Sequence, residues 1–439
     1  RSTLGVRKKQ SKYGYDDVFI AWVLTALCGG TRLDHITKLK KKLNIIPRLK
    51  LPSHDTLGRV MKSLATEIKI KENIKGRGAT LGIHKNYYCD NTELNRMLIK
   101  ATKRAGALKE NCAYTIHIDA TFIETNCVTA HRGKDDVHGF YPMICLINDL
   151  PVYISMRNGD SNAEFELKEC LENCLNLLAE EKINVNKVIS DSAGYKKDLT
   201  DLLHERGSKF YINMPVNISY KAMFKQIDDC DNWKNIELET ANYIRECEVG
   251  EIRYKMHDSE NENRIIIARE YNKSTKRKLV SKEEKERLDI IENKMKLLKE
   301  KKLLKSKNRA YKQGDWKAYK QYKIKLIITN DLKTAPEEII MAYNKRGGAE
   351  RKFDFMKNDF GWEYPPFMKM NQNAVFMFAA ALANNIFRGM VILFKKKIPE
   401  LRLNARLSDF QFVFIDVSCA IVNGVYEFYN TDIAYEKII

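Results

Sequence analysis

The chain has 439 residues, of which 76 are lysine or arginine and 57 are aspartate or glutamate, so its formal net charge is +19. This length allows about two to four domains with a sizeable core. A positive excess of this size favours a polyanionic partner, nucleic acid before an anionic membrane, although a basic surface that serves only solubility is the alternative.

Cysteine usage and hydropathy argue against secreted, zinc-binding and membrane proteins. The ten cysteines include no CxxC pair, and the eight histidines show no zinc spacing, which predicts reduced, mostly buried thiols in a cytoplasmic protein. The most apolar run, residues 374–383, is too short to span a membrane. We therefore expect it to form a buried helix and expect no membrane partner.

The N-terminal part, residues 1–110, is predicted to be a helical DNA-binding region. Three helices are expected there, at residues 13–28, 32–43 and 51–65. On the third, Thr56, Arg59 and Lys62 would share an exposed face, which suits a helix-turn-helix that reads DNA. A helical bundle that serves only as a scaffold is the alternative.

A different pattern begins at residue 113, where β-branched and apolar residues alternate with polar ones. It predicts three antiparallel strands, at residues 113–124, 140–149 and 150–159, with a hairpin turn at Asn148-Asp149. A helix at 162–181 and a strand that ends at Asp191 follow. The first strand carries Asp119. This element order, with an acid on two of the strands, resembles that of an RNase H-like core, but each aspartate could instead be a turn or cap residue.

The stretch from Tyr343 to Lys357 reads YNKRGGAERKFDFMK. On one α-helix Tyr343, Arg346, Glu350 and Lys357 would share a face, because residues three, four and seven apart lie on the same side. The two glycines beside Glu350 would allow a backbone or ligand to approach closely. A carboxylate among basic side chains suggests a site for metal and phosphate, and the alternative is an ordinary solvated face.

This spacing resembles the Y-(2)-R-(3)-E-(6)-K signature of a large group of bacterial insertion-sequence transposases of the DDE class. The resemblance implies three catalytic acids, which are Asp119, Asp191 and Glu350. They would hold two Mg²⁺ ions, for which Mn²⁺ can substitute, with Asp119 as the ligand shared by both ions. The resemblance also implies that Tyr343, Arg346 and Lys357 contact DNA phosphates.

An α/β fold with five regions follows from these patterns and the resemblance. Residues 1–110 would bind DNA, 111–216 and 323–365 would form the RNase H-like core, and 366–439 would be a helical C-terminal region. Residues 217–322 would be an insertion between the second and third acids, with strands within 233–270 and a lysine-rich helix within 273–325. That helix would lie on DNA phosphates or be simply solvated.

The function implied by the resemblance is cleavage at the terminal inverted repeats of an insertion sequence and joining of the ends to target DNA. The expected partners are both double-stranded DNAs and a second copy of the chain, in a bacterial cytoplasm at the nucleoid. Some relatives hold a flipped base on an aromatic side chain, for which Trp233 and Trp316 are candidates. The alternatives are an RNase H-like nuclease without transposition and a non-catalytic DNA-binding protein.

Overall fold

The computed structural model describes residues 4–5, 7, 11–43, 49–75, 82–133, 136–216, 226, 233–239, 243–271, 277–278, 322–415, 418–422 and 425–429. The chain divides into two compact units. Unit 1 comprises Arg1–Val188 and Gly348–Ile439, and unit 2 comprises Ile189–Gly347. Most of the predicted lysine-rich helix lies outside the described residues.

Helices and strands alternate along the chain, which confirms the α/β class. The helices are α1 (Tyr15–Leu27), α2 (His35–Leu43), α3 (His54–Ser63), α4 (Thr92–Arg104), α5 (Leu167–Glu180), α6 (Lys197–Glu205), α7 (Pro336–Asn344), α8 (Ala349–Asn358), α9 (Met370–Lys395) and α10 (Leu407–Phe414). The strands are β1 (Lys69–Lys75), β2 (Gly82–Asp90), β3 (Ala113–Ala120), β4 (Ile123–Glu124), β5 (His131–Arg132), β6 (His138–Phe140), β7 (Met143–Ile147), β8 (Leu150–Arg157), β9 (Asn184–Ser190), β10 (Lys209–Met214), β11 (Lys234–Glu239), β12 (Tyr243–Lys255), β13 (Glu262–Tyr271), β14 (Arg277–Lys278), β15 (Tyr322–Thr329), β16 (Ser418–Val422) and β17 (Val425–Tyr429).

The main sheet of unit 1 has the strand order β1-β2-β8-β7-β3-β9. Strands β3, β7 and β8 are antiparallel neighbours, as the sequence predicts. The β7–β8 turn is formed by Asn148 and Asp149, with φ of 48° and 68°, and these two residue types tolerate that left-handed backbone. Helix α5 and strand β9 follow, so the element order expected for an RNase H-like core is present.

The N-terminal region contains the three predicted helices, but the prediction that residues 1–110 are entirely helical is wrong. Strands β1 and β2 form a hairpin, and β2 pairs with β8 through Tyr88 and Arg157. The β1 sequence, KIKENIK, is rich in good helix formers. Its pairing with β2, at the edge of the sheet, outweighs that local preference.

The core of unit 1 is built around α9. Trp22 of α1 packs edge-to-face on Phe376, with ring centroids 5.1 Å apart. The buried Asn385 side chain donates to Thr102 Oγ1 and to the Pro151 carbonyl oxygen, both at 2.7 Å, so its polar group is hydrogen-bonded. By length and composition α9 is apolar enough to span a membrane, but 78% of its most apolar window is buried within the protein. The prediction of a buried helix is therefore confirmed.

The C-terminal region departs from the all-helical prediction after α10. Strands β16 and β17 pair from Ser418 opposite Tyr429 to Val422 opposite Val425. Both segments are rich in β-branched and aromatic residues, which favour strands. Asn423-Gly424, which separates them in sequence, is typical of two-residue hairpins. The prediction that residues 366–439 form a helical region is thus wrong for this hairpin.

Unit 2 contains the sheet β10-β15-β13-β12-β11, with β14 beside β12. The sequence assigns β10 and β15 to the core and β11–β13 to the insertion. In the structure β13 pairs with β15 over its whole length, from Arg264 opposite Thr329 to Tyr271 opposite Tyr322. The predicted insertion strands therefore extend the sheet of β10 and β15, because β15 would otherwise present an unpaired edge.

Candidate active site

In unit 1, Asp119 is the second-last residue of β3. The buried residues Ile116 and Ile118 point to one face of the strand, so Asp119 points to the other. Asp119 is half-buried, and its Oδ1 accepts a hydrogen bond of 2.9 Å from the Ala120 backbone N–H. The strand thus holds a carboxylate at its carboxyl end, as predicted.

Lys357 lies in the last turn of α8, in the same unit. Its Nζ donates a 2.9 Å hydrogen bond to the carbonyl oxygen of Phe122, three residues after Asp119. Burial lowers the pKa of Lys357, although Glu363 and Asp354 act in the opposite direction. Unit 1 therefore anchors a partly buried ammonium group to the loop that follows the first acid.

Glu350 is the second residue of α8, and its side chain is outside the described residues. Positions 350 and 357 are seven residues apart on one helix, which places them about 10 Å apart on the same face. The helix that carries Lys357 to the end of β3 therefore also carries the predicted third acid.

In unit 2, Asp191 directly follows β9. Its Oδ1 accepts a 3.0 Å hydrogen bond from the Ala193 N–H and caps the 3₁₀ turn Ser192–Gly194. Asp191 therefore has the capping role that the sequence allowed as an alternative, although the capped element is a single 3₁₀ turn. The Asp191 side chain is 36% exposed, and its Oδ2 lies 3.9 Å from Nη2 of Arg346. Capping and a functional role are therefore compatible, because each uses a different oxygen.

No local sequence pattern predicts the contact between Arg346 and Asp191, which are separated by 155 residues (346 − 191). A second cation near Arg346 was also missed. Lys325, on β15, has a pKa lowered by burial and by the neighbouring charges of Arg245 and Arg346. Unit 2 thus places Arg346 beside Asp191 and Lys325 within electrostatic reach of Arg346, and an arginine so placed is suited to bind a phosphate group.

Tyr343 lies at the end of α7 and is only 6% exposed. It packs with Ile189 and Ile339 in an apolar cluster, and the Lys325 ammonium lies 5.3 Å from the centre of its ring. Lys325 also donates a 2.6 Å hydrogen bond to Asn344 Oδ1. The ring of Tyr343 is therefore a packing element of unit 2.

The prediction that one helix carries all four signature residues on one face is wrong. Helix α7 ends at Asn344, a 3₁₀ turn spans Lys345–Gly348, and α8 begins at Ala349. The two glycines in that turn are poor helix formers, and the 3₁₀ geometry changes the rotation per residue. The unit boundary also falls within this turn, so that Tyr343 and Arg346 belong to unit 2, whereas Glu350 and Lys357 belong to unit 1.

The three predicted acids have suitable chemistry for a divalent ion, since carboxylate oxygens are the ligands that Mg²⁺ and Mn²⁺ prefer. Within the described part of the chain, no three His, Cys, Asp or Glu side chains are grouped as a metal site. Asp119 and Asp191 lie in different units, and the Glu350 side chain is not among the described ones. The fit therefore rests on the donor type and on the strand-end and helix positions.

The other residues singled out from the sequence have clear surroundings. Trp233 packs on Gly250, and the Arg269 guanidinium lies 3.7 Å from its ring centre, whereas Trp316 lies outside the described residues. On α3, Arg59 and Lys62 are exposed and Thr56 is half-buried, so the predicted polar face exists. Arg59 donates a 3.3 Å hydrogen bond to Thr56 Oγ1.

The chain is similar to a known protein family over more than half of its length. The model of the transposase DDE domain matches residues 110–386, which is 277 of the 439 residues (386 − 110 + 1). The matched span begins just before β3 and ends within α9, so it includes Asp119, Asp191 and Glu350. No curated protein matches the chain.

Proposed function

Because the chain belongs to the family of transposases with a DDE domain, we propose that it cleaves DNA at the terminal inverted repeats of a bacterial insertion sequence. We further propose that it joins the freed 3′ ends to target DNA. The observation that supports this proposal is that the matched span includes the three acids. They lie on the expected elements, which are β3, the end of β9 and the start of α8. Transposases of this family act on DNA with divalent metal ions. The use of Mg²⁺ in particular, and the joining of the 3′ ends, are proposed here in addition.

For the chemistry, we propose that Asp119, Asp191 and Glu350 hold two Mg²⁺ ions, with Asp119 shared by both. Such ions activate the attacking hydroxyl and stabilise the leaving oxygen when bound. Mn²⁺ can substitute because it accepts the same oxygen ligands.

For DNA binding, Arg346 and Lys357 are the proposed phosphate contacts near the cleaved end. Arg346 offers a guanidinium next to Asp191, and Lys357 offers an ammonium on the loop after Asp119. Each cation therefore lies beside a different acid, and each offers charged donors to a DNA phosphate. For Tyr343 the proposed contact is through the hydroxyl alone, because the ring packs in the core of unit 2.

The proposed partners are the terminal repeats, the target DNA and a second copy of the chain. Two transposon ends must be cut and joined together, which a homodimer with two active sites achieves. The exposed face of α3, with Arg59 and Lys62, is the proposed reader of the repeat sequence. We place this activity in the bacterial cytoplasm, at the nucleoid.

The proposal is tested by cleavage of a duplex that carries the terminal repeat found beside the gene. Wild-type protein should cut at the repeat boundary with Mg²⁺ or Mn²⁺ and not with EDTA. Glu350→Gln should bind the duplex and leave it uncut. Cutting without joining would favour the nuclease, and tight binding without cutting in either metal would favour the non-catalytic protein.

Replacing Arg346 by glutamine should reduce the salt dependence of DNA binding. If Arg346 neutralises one phosphate, the slope of log K against log salt becomes smaller by about 0.9, because one fewer counterion is released. Fluorescence anisotropy at several salt concentrations measures the slope. The control is Arg96→Gln, which removes an arginine of α4 that is paired with Glu180 of α5. An unchanged slope for Arg346→Gln would show that this side chain serves only Asp191.

A further inference from the structure

Helix α8, which carries Glu350 and Lys357, needs support from other parts of unit 1. It has only ten residues, Ala349–Asn358, and helices shorter than about 12 to 15 residues are marginally stable by themselves. The turn before it contains Gly347 and Gly348, which restrain the backbone little. The position of Glu350, the second residue of the helix, therefore depends on the contacts that hold the rest of α8.

One set of these contacts is made by Arg406, the residue that directly precedes α10. Its Nη1 lies 2.7 Å from Asp354 Oδ2, and its Nη2 lies 2.6 Å from Oδ1 of Asp359, whose side chain is only 8% exposed. The second oxygen of Asp359 accepts a 3.3 Å hydrogen bond from the Leu407 N–H. A single exposed ion pair contributes little, but short charged hydrogen bonds joined in a network contribute more. Arg406 thus fixes one residue of α8, and the residue directly after α8, to the same segment.

The ring of Phe355, which is also on α8, provides a further contact for the same guanidinium. The guanidinium carbon of Arg406 lies 4.5 Å from the centre of this ring, and that of Arg388 on α9 lies 4.7 Å from it, both within the range of a cation–π interaction. Nη1 of Arg388 also donates to the carbonyl oxygens of Leu403 and Ala405, at 3.2 and 2.8 Å. The segment that leads to Arg406 is therefore itself held by α9.

The contacts of Arg406 act on the side of α8 that carries the third acid. Asp354 comes four residues after Glu350 and three before Lys357, and residues three and four apart lie on one side of a helix. Arg406 therefore pairs with an acid that lies between a proposed metal ligand and a proposed phosphate contact. An unpaired carboxylate one turn from Glu350 would itself attract a divalent cation, and the pairing with Arg406 neutralises it.

We propose that Arg406 is a positioning residue for the metal chemistry, an inference that rests on the proposed function. It sets the place of Glu350 through its contacts with α8, without contacting metal or DNA itself. The span that matches the family ends at residue 386, 20 residues before Arg406 (406 − 386), so the contacts in this chain alone assign the role. Metal ligands are commonly oriented by such outer contacts, and removal of one costs about 10- to 100-fold in metal affinity or activity.

The first test measures how firmly α8 is held in the protein without metal or DNA. Hydrogen–deuterium exchange reports local opening of the helix, and Arg406→Met should speed the exchange of the α8 amides about tenfold or more, the order expected for loss of a charged hydrogen bond. The matched control is Arg96→Met. Arg96 also pairs with two carboxylates of unit 1, Glu93 and Glu180, but neither is on α8, so the exchange of α8 should not change.

The second test measures the metal dependence of cleavage, well below the unfolding transition of each variant. Arg406→Met should raise the Mg²⁺ concentration for half-maximal cleavage about 10- to 100-fold and leave the affinity for the uncut duplex in EDTA unchanged. Arg406→Lys keeps a cation but not the planar fork that reaches two carboxylates, so it should recover part of the metal affinity. Adding Asp354→Asn to Arg406→Met should cost little more, because the two residues act as a pair.

Two outcomes would overturn the positioning role of Arg406. One is unchanged exchange of the α8 amides in Arg406→Met, and the other is cleavage by this variant with the Mg²⁺ dependence of the wild type. Metal-dependent cleavage by the wild-type protein alongside either outcome would leave the transposase proposal standing. Faster exchange of α8 in Arg406→Met, with no cleavage by the wild-type protein in any metal, would support the link between Arg406 and α8 and count against the enzyme.

Discussion

Asp119→Asn is expected to lower the rate of DNA cleavage about 10³-fold or more while DNA binding persists. Several kcal/mol of transition-state stabilisation depend on metal-held oxygens in reactions of this class, and about 1.4 kcal/mol corresponds to each tenfold in rate. Asparagine keeps the size of the side chain and an oxygen that can accept the Ala120 N–H. It loses the negative charge that would hold two cations.

A matched control separates this effect from damage to the fold. Asp198 on α6 also accepts a hydrogen bond from the N–H of the next residue, Leu199, at 2.9 Å, but it is not one of the proposed ligands. Asp198→Asn should therefore cleave at the wild-type rate. Cleavage and joining are measured on labelled terminal-repeat duplexes under single-turnover conditions. If Asp119→Asn cleaved DNA at the wild-type rate, Asp119 would not be one of the catalytic acids.

The strands around Asp119 could be predicted because the signals are local. Residues 113–120 and 143–157 are apolar and β-branched, and Asn148-Asp149 is a two-residue turn of a type that needs positive φ. Once three antiparallel strands are placed, the position of Asp119 at the end of one of them follows. The position of Asp191 after β9 follows in the same way, from a short apolar run that ends in an acid.

What could not be predicted depends on contacts between distant parts of the chain. Helix periodicity treats residues 343–357 as one face, but the glycine pair at 347–348 changes the helix type and the two halves join different units. The Arg346–Asp191 contact and the β13–β15 pairing have no local pattern. Residue spacing along one helix therefore misplaces Tyr343 and Arg346, because their positions depend on contacts with distant parts of the chain.

Trp362→Ala is expected to lower the free energy of unfolding of the protein by about 3–5 kcal/mol, the usual cost of removing a large buried aromatic side chain. Trp362 is fully buried, and its Nε1 donates a 3.0 Å hydrogen bond to the Met377 carbonyl oxygen of α9. It lies four residues after Asn358, the last residue of α8, so it ties the helix of Glu350 and Lys357 to the core.

Urea denaturation followed by circular dichroism measures the change, and two variants make it specific. Trp362→Phe keeps an aromatic ring but loses the hydrogen bond and part of the buried ring volume, so it should cost less than Trp362→Ala, about 1–3 kcal/mol. Trp233→Ala removes a half-buried ring that packs on Gly250 and Arg269, so it should lower the free energy of unfolding by less than Trp362→Ala does. Equal stability of Trp362→Ala and wild type would mean that α8 is held by other contacts. Cleavage by Trp362→Ala is then measured well below and close to its unfolding transition. If the cleavage rate falls only close to the transition, Trp362 supports the position of α8 and has no part in the chemistry of Glu350.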